Sequence, residues 1–259
     1  MVKVIVIRAA GTNCDKETAD AFIRQGAEAE LVHINQLKNK KKKLSSYHIL
    51  AIPGGFTYGD DIASGRILAN ELKFNLKDDV SKFINDGKLI IGICNGFQVL
   101  VKSGLLPEGN TFNQTTTLNL NDSCKFEDRW IYLKNNPQSP CIWTKNIKDV
   151  MELPIAHAEG KFIADKEVIK SLGDNNQIVF KYVNAQGETG SYPDNPNGSI
   201  DDIAGICDQT GRIFGLMPHP ERFLTLNHNP RAQRLKEAKP IDGNIIFKNA
   251  VNYIKNNVL

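Results

Sequence analysis

The sequence predicts a single α/β domain, residues 1–259, built on a doubly wound, mostly parallel sheet flanked by helices. Short apolar runs at residues 2–7, 29–34, 47–52 and 88–93 have the length and composition of buried parallel strands. Helical patterns lie between several of these runs, and this β-α-β alternation is typical of a parallel sheet. Such sheets place their sites at the carboxyl ends of the strands, so function is expected in the loops that follow them.

The first half of the chain alternates strands and helices in order. A helix is predicted over residues 15–25, between the first and second strands, and a lysine-rich loop leads to the third. A long helix over residues 67–86, with a new turn starting at residues 75–78, leads into the strand at residues 88–93. The next helix, residues 95–103, ends at Gly104.

Beyond Gly104 the pattern changes, and it predicts an antiparallel hairpin extension of the sheet. Residues 111–121 are polar and threonine-rich, and residues 129–134 alternate as an edge or antiparallel strand does. Residues 203–208 and 212–217 are predicted to form a hairpin. The remaining predicted elements are a short strand entering a loop at residues 151–160, a helix near 165–172, a strand at 177–183 and an amphipathic helix at 244–256.

The composition is that of an ordinary globular protein, with 41% hydrophobic and 24% charged residues. A net charge of +3 is too small to indicate nucleic-acid binding. No apolar run approaches the roughly 20 residues of a membrane span, and the chain enters a strand at once without a signal-peptide pattern. The five cysteines form no C-x-x-C pair, so we expect no zinc site, no disulfide framework and a reducing cytoplasm.

Cys94 lies on the predicted turn between a strand and a helix, flanked by Gly92 and Gly96. This G-x-C-x-G pattern is the cysteine version of the nucleophile elbow, in which a sharp turn exposes the reactive atom above the sheet. The helix N-terminus favours the thiolate form of such a cysteine. The alternative is a buried, inert cysteine, which is common at strand ends.

The loop after the third strand, residues 53–61, is rich in glycine. Glycines at Gly54 and Gly55 would let a main-chain N–H group turn toward a ligand, which makes this segment a candidate oxyanion donor. A plain flexible turn is the alternative.

A nucleophilic cysteine needs a histidine base and a group that orients the imidazole. Two of the five histidines have a carboxylate two residues later, as His157-Ala-Glu159 and His219-Pro-Glu221. In an extended backbone each glutamate shares a face with its histidine, so both pairs qualify. The prolines on both sides of His219 favour it, because they restrict the local backbone.

Two motifs together resemble the class I, or triad, glutamine amidotransferases: Gly92-Ile-Cys94-Asn-Gly96-Phe-Gln98 and, much later, His219-Pro-Glu221. Further segments resemble the members of that family that act as separate glutaminase subunits in purine synthesis. These segments are residues 10–15, 54–66, 154–160 and 217–222. The resemblance covers essentially the whole chain and implies the flavodoxin-like sheet of the family.

The resemblance implies that Cys94 is the nucleophile, His219 the base and Glu221 the partner that orients it. The implied reaction hydrolyses L-glutamine to glutamate and ammonia through a glutamyl thioester on Cys94. Ammonia would pass to a separate large synthetase subunit that uses ATP and magnesium, and a small accessory subunit would assist. No cofactor is implied for this chain.

The resemblance also implies an oxyanion hole made by the main-chain N–H groups of Gly55 and Asn95, with Gln98 near the bound glutamine and no metal. Asp128 departs from the family pattern, which has a cysteine or similar small residue there, and we expect catalysis to survive this change. The basic loop Lys40–Lys43 also exceeds the pattern and receives no role.

Two other functions stay open at this point. The chain could be a non-catalytic α/β subunit that keeps the fold for assembly, or a stand-alone cysteine hydrolase acting on other amides. The joint presence of Cys94, His219 and Glu221 argues against the scaffold, whereas the absence of an ATP-site motif suits a subunit and a stand-alone hydrolase equally.

Overall fold

The computed structural model describes residues 1–147, 149–234 and 243–259. Its strands, in chain order, are β1 (Lys3–Arg8), β2 (Glu28–His33), β3 (Ile49–Ile52), β4 (Leu89–Ile93), β5 (Thr116–Asn119), β6 (Glu127–Asn135), β7 (Val150–His157), β8 (Lys161–Ala164), β9 (Ile178–Val183), β10 (Ile203–Cys207) and β11 (Ile213–Leu216). The α-helices are α1 (Asp15–Ile23), α2 (Ile34–Lys38), α3 (Arg66–Asn70), α4 (Lys77–Asn85), α5 (Asn95–Ser103), α6 (Lys166–Asp174) and α7 (Gly243–Asn257).

Nine strands form one sheet in the order β2-β1-β3-β4-β11-β10-β9-β6-β7. The five strands from β2 to β11 run parallel to their neighbours in that order. The order β2-β1-β3-β4 is that of the flavodoxin-like arrangement, with the direction of winding reversing between β1 and β3. The predicted doubly wound, mostly parallel sheet is confirmed.

The central strands are buried on both faces, which explains why they read as continuous apolar runs. Every residue of β3, β4, β10 and β11 is buried. The connections from β1 to β2 and from β4 to β11 advance in opposite directions along the sheet. The right-handed crossovers expected between parallel strands put α1 and α5 on opposite faces.

The predicted antiparallel extension exists, although its strands pair differently from a local hairpin. β6 pairs with β7 on one side and β9 on the other, and so continues the main sheet. β5 leaves that sheet and pairs with β8 in a separate two-stranded sheet. The predicted hairpin of β10 and β11 is confirmed.

Two elements differ from the prediction. The helix expected over residues 67–86 is broken into α3, a π-turn at Glu71–Asn75 and α4, with the new turn close to where it was predicted. Ile34 begins α2 instead of ending β2, because the His33 side chain caps that helix by accepting from the Asn35 N–H.

Among the residues that the structure describes, no helix is long and apolar enough to cross a membrane.

Candidate active site

Cys94 lies on the sharp turn between β4 and α5. Its backbone adopts φ 52° and ψ −106°, a conformation that costs energy for any residue with a side chain. Both flanking glycines are required sterically: a Cβ on Gly92 would lie 2.4 Å from the Gly96 carbonyl oxygen, and one on Gly96 would lie 1.9 Å from the Ile52 carbonyl oxygen. The geometry is that of a nucleophile elbow.

The surroundings of Cys94 favour a reactive sulfur. The side chain is buried, its Sγ lies 3.7 Å from the Ala156 carbonyl oxygen, and its N–H donates to Leu216 at 2.8 Å. The residue caps the N-terminus of the nine-residue helix α5. The dipole and free N–H groups of that end stabilise negative charge on the sulfur.

His219 reaches the same edge because β11 is the parallel neighbour of β4, with Leu216 in register with Ile93. Its Nδ1 lies 2.6 Å from Glu221 Oε1, and both side chains are buried. Its backbone N–H donates to the Pro154 carbonyl at 2.8 Å, which fixes the loop.

The electrostatics of His219 match a base held by a carboxylate. Burial alone lowers the pKa of His219, but the Glu221 carboxylate and the nearby sulfur of Cys94 outweigh burial, so the pKa lies well above the ordinary value. The imidazole therefore carries a proton readily, and Glu221 stabilises the imidazolium.

The glycine-rich loop after β3 lies on the other side of Cys94. The loop is held by residues that follow β1: the N–H groups of Asn13 and Cys14 both donate to the Gly54 carbonyl, at 3.3 and 3.1 Å. Gly55 has φ +140°, and its N–H donates to no backbone carbonyl in the described part of the chain. A Cβ on Gly54 would lie 2.7 Å from His219 Cε1, so glycine is what lets the imidazole pack here.

The side chains of Asn95 and Gln98 belong to one buried network. Asn95 Nδ2 donates to Gln98 Oε1 at 2.9 Å and to Asp60 Oδ1 at 3.1 Å. Asn95 Oδ1 accepts from Thr57 Oγ1 at 2.6 Å, and Gln98 Nε2 donates to the Glu159 carbonyl at 2.5 Å. The Gln98 amide is thus engaged on both sides by the protein, and its contact with glutamine stays a prediction.

The second histidine of the sequence analysis, His157, has a different environment. Its Nδ1 faces Asn121 Oδ1 at 3.2 Å, and burial together with the charge of His219 lowers the pKa of His157 to about 3. Glu159 turns away to Lys102, whose Nζ lies 3.5 Å from Glu159 Oε2. The structure therefore brings a carboxylate to His219 and leaves His157 a neutral, buried imidazole.

Sequence reasoning gave no role to Cys14, although residues 10–15 were part of the resemblance. Cys14 follows β1, is buried, and lies beside His219, and its Sγ accepts a hydrogen bond from Arg222 Nη2 at 3.1 Å. Its place after a parallel strand was the signal available in the sequence. The Lys40–Lys43 loop lies beside Lys3 at the start of β1, the opposite end of the sheet, and Asp128 is exposed on β6.

The chain is similar to known proteins over nearly its whole length. Residues 1–254 match the model of the CobB/CobQ-like glutamine amidotransferase domain. Phosphoribosylformylglycinamidine synthase subunit PurQ from Methanococcus maripaludis is 49% identical over 265 residues, covering 97% of each chain. The same subunit from Dehalococcoides mccartyi is 49% identical over 257 residues, covering 98% of each.

A solved structure is also similar to this chain. A chain of the PurLQS structure from Thermotoga maritima superposes with a TM-score of 0.75 at 30% identity, covering 98% of this chain and 99% of that one. The likeness therefore extends to the fold as well as the sequence.

Proposed function

The chain belongs to the CobB/CobQ-like glutamine amidotransferase family, and from this premise we propose that Cys94, His219 and Glu221 carry out its glutaminase reaction. The family predicted from the two motifs is confirmed. The enzyme is a glutamine amidotransferase, and its role is that of the glutaminase subunit of phosphoribosylformylglycinamidine synthase in purine biosynthesis. The assignment of the residues rests on the geometry.

The observation that carries this assignment is the convergence of three neighbouring strand ends. Gly55 follows β3, Cys94 follows β4 and His219 follows β11, and these strands are adjacent in the sheet. The 2.6 Å contact between His219 and Glu221 completes a nucleophile, a base and an orienting carboxylate.

The reaction proceeds in two halves. The Cys94 thiolate attacks the side-chain carboxamide of glutamine, and the protonated His219 gives its proton to the departing ammonia. Water then attacks the glutamyl thioester with His219 as base, which releases glutamate and restores the cysteine. The main-chain N–H groups of Gly55 and Asn95 stabilise the oxyanion in both halves, each worth about 3 kcal/mol in reactions of this type.

The ammonia is passed to the large synthetase subunit, which uses ATP and magnesium, while the small accessory subunit assists. Two exposed aromatic side chains support docking of a partner subunit at the edge of the site. Phe56 is next to Gly55 in the glycine-rich loop, and its ring centroid lies 6.3 Å from that of Phe126. The glutaminase chemistry itself requires no cofactor in this chain. We place the reaction in the cytoplasm, a location that the unpaired cysteines of the described residues support.

The experiment that tests this assignment is active-site labelling of the full chain. The protein is treated with a glutamine-shaped diazoketone, with and without excess glutamine, and the labelled peptide is identified by mass spectrometry. We expect one label on Cys94 that glutamine suppresses and that Cys94→Ser abolishes. The exposed Cys124 serves as the matched control, because Cys124→Ser should leave labelling unchanged.

A label on another residue, or one that is indifferent to glutamine, would contradict the assignment. If the isolated chain takes no label, the same treatment is applied to the assembled synthase. No labelling of Cys94 there would leave the non-catalytic scaffold as the better description.

A further inference from the structure

Cys14 is a second buried thiol in the active site, and the glutaminase reaction does not use it. It is 1% exposed and follows β1, the parallel neighbour of β3. A Cβ placed on Gly54 would lie 3.2 Å from Cys14 Sγ and 2.7 Å from His219 Cε1. The thiol and the imidazole therefore pack against the same glycine.

Cys14, His219 and Glu221 together form a three-sided cluster. One potential ligand atom from each side chain can be chosen so that all three lie within 4.8 Å of one another, and all three residues are buried. A tetrahedral zinc ion with bonds of about 2.0–2.3 Å holds its ligand atoms roughly 3.5 Å apart. Small side-chain rotations would bring the three ligand atoms to that spacing.

One carboxylate oxygen of this cluster, Glu221 Oε2, lacks a hydrogen-bond partner among the residues that the structure describes, and its side chain is 1% exposed. A buried carboxylate oxygen without a partner is costly, and a cation would satisfy it.

Arg222 also contacts the cluster. Its Nη2 donates to Cys14 Sγ at 3.1 Å, and its Nε lies 3.7 Å from Glu17 Oε1. Burial raises the pKa of the Cys14 thiol, so a bound metal would have to displace the thiol proton.

We infer that Cys14, His219 and Glu221 form an inhibitory binding site for a borderline-soft divalent cation of the Zn²⁺ type. Thiolate, imidazole and carboxylate are the ligand set that zinc prefers. On binding, the Cys14 thiol proton and the proton on His219 Nδ1 leave to solvent, and Nδ1 and the Glu221 carboxylate exchange their mutual hydrogen bond for bonds to the metal. The oxidation state of the metal does not change.

Loading this site removes the base from the glutaminase reaction, so the cation switches the enzyme off and a chelator restores it. This consequence rests on the proposed roles of His219 and Glu221. The binding of the cation does not, and it can be measured without activity.

The test is the zinc affinity of the full chain, measured by competition with a chromophoric chelator. The wild type, Cys14→Ser, Cys94→Ser and Cys124→Ser are compared under the same conditions. We expect one tightly bound Zn²⁺ in the wild type, about a 100-fold loss of affinity in Cys14→Ser, and less than a tenfold change in Cys94→Ser. Cys124→Ser, the control at an exposed thiol, should match the wild type.

The inference is overturned if Cys94→Ser weakens binding as much as Cys14→Ser does, because the metal would then sit on the nucleophile. It is also overturned if the wild type binds no Zn²⁺ or if Cys14→Ser binds it as tightly. Diazoketone labelling of Cys14→Ser shows that its active site is folded. Because labelling and zinc affinity are separate readouts, failure of the proposed function and failure of this inference are distinguishable.

Discussion

Two buried histidines at the site differ in their protonation because their neighbours differ. His219 has a carboxylate at 2.6 Å, which favours the imidazolium. His157 has the amide of Asn121 and faces the charge of His219, and the lowered pKa of about 3 keeps it neutral. Gly160 closes over the His157 ring, since a Cβ there would lie 2.3 Å from Cε1. His157 therefore acts as a packed, hydrogen-bonded wall residue.

We predict that His157 makes the fold sensitive to acid. The unfolded chain takes up a proton at this imidazole below its ordinary pKa of 6.5, whereas the folded chain excludes that proton down to a pH of about 3. Stability is thus fully present above pH 6.5 and falls as the pH falls, by about 2 kcal/mol between pH 6.5 and 5. His157→Gln should lose this component, measured by urea unfolding across that range in a chelating buffer.

The difference in unfolding free energy between wild type and His157→Gln should therefore shrink toward low pH. Parallel stability profiles for the two proteins would show that the folded chain admits the proton.

At the scale of the element, the elbow depends on how closely α5 approaches the sheet. The missing side chain of Gly96 lets the helix lie directly against the Ile52 carbonyl at the end of β3. The Asn95 side chain joins the loop that carries Gly55, because its Oδ1 accepts from Thr57 Oγ1 at 2.6 Å. A side chain at Gly96 would push the proposed nucleophile and the proposed oxyanion donors apart.

We predict that Gly96→Ala destabilises the fold by about 3 kcal/mol and abolishes the glutamine-protected labelling of Cys94, because its Cβ would overlap a backbone oxygen. Gly173 in α6 is the matched control, since nothing lies within 4 Å of a Cβ placed there. Gly173→Ala should be neutral or stabilise by up to about 1 kcal/mol, as alanine is the better helix former. Thermal unfolding compares the two, and similar losses would contradict the proposed close approach.

For the whole molecule, the proposed transfer of ammonia to a synthetase predicts dependence on the partner subunits. Cys94, the proposed nucleophile, is 5% exposed and so is shielded from solvent. Ammonia released there would be useful only if it reached the synthetase without loss.

We predict that glutamate release accelerates when the synthetase subunits, ATP and the formylglycinamide ribonucleotide are added. A complex carrying Cys94→Ser should lose glutamine-dependent synthesis but keep synthesis from added ammonium, because the change touches only the glutaminase. The measurement is coupled product formation with each nitrogen source. Glutamate release that is equal with and without the synthetase would instead favour the stand-alone hydrolase.

Much of the fold could be predicted from local hydrophobic patterns in the sequence. The strands β1, β3 and β4 and the helix α5 were predicted because fully buried parallel strands are short continuous apolar runs, and because Gly104 ends the helix in a left-handed conformation. The pairing of β5 with β8 was missed, because strand partners are chosen by non-local packing that periodicity does not encode.

The sequence by itself determined the elbow around Cys94, since the two glycines, the strand and the helix are contiguous and their sterics are local. Only the tertiary structure distinguishes the environments of His157 and His219. Both offered a carboxylate two residues on, but the Glu159 side chain turns to Lys102 whereas Glu221 stays with its histidine. The same holds for Cys14, whose position beside His219 arises because the ends of β1, β3, β4 and β11 meet at one edge of the sheet. That meeting depends on strand order, which is decided by packing between distant segments of the chain and not by any local pattern.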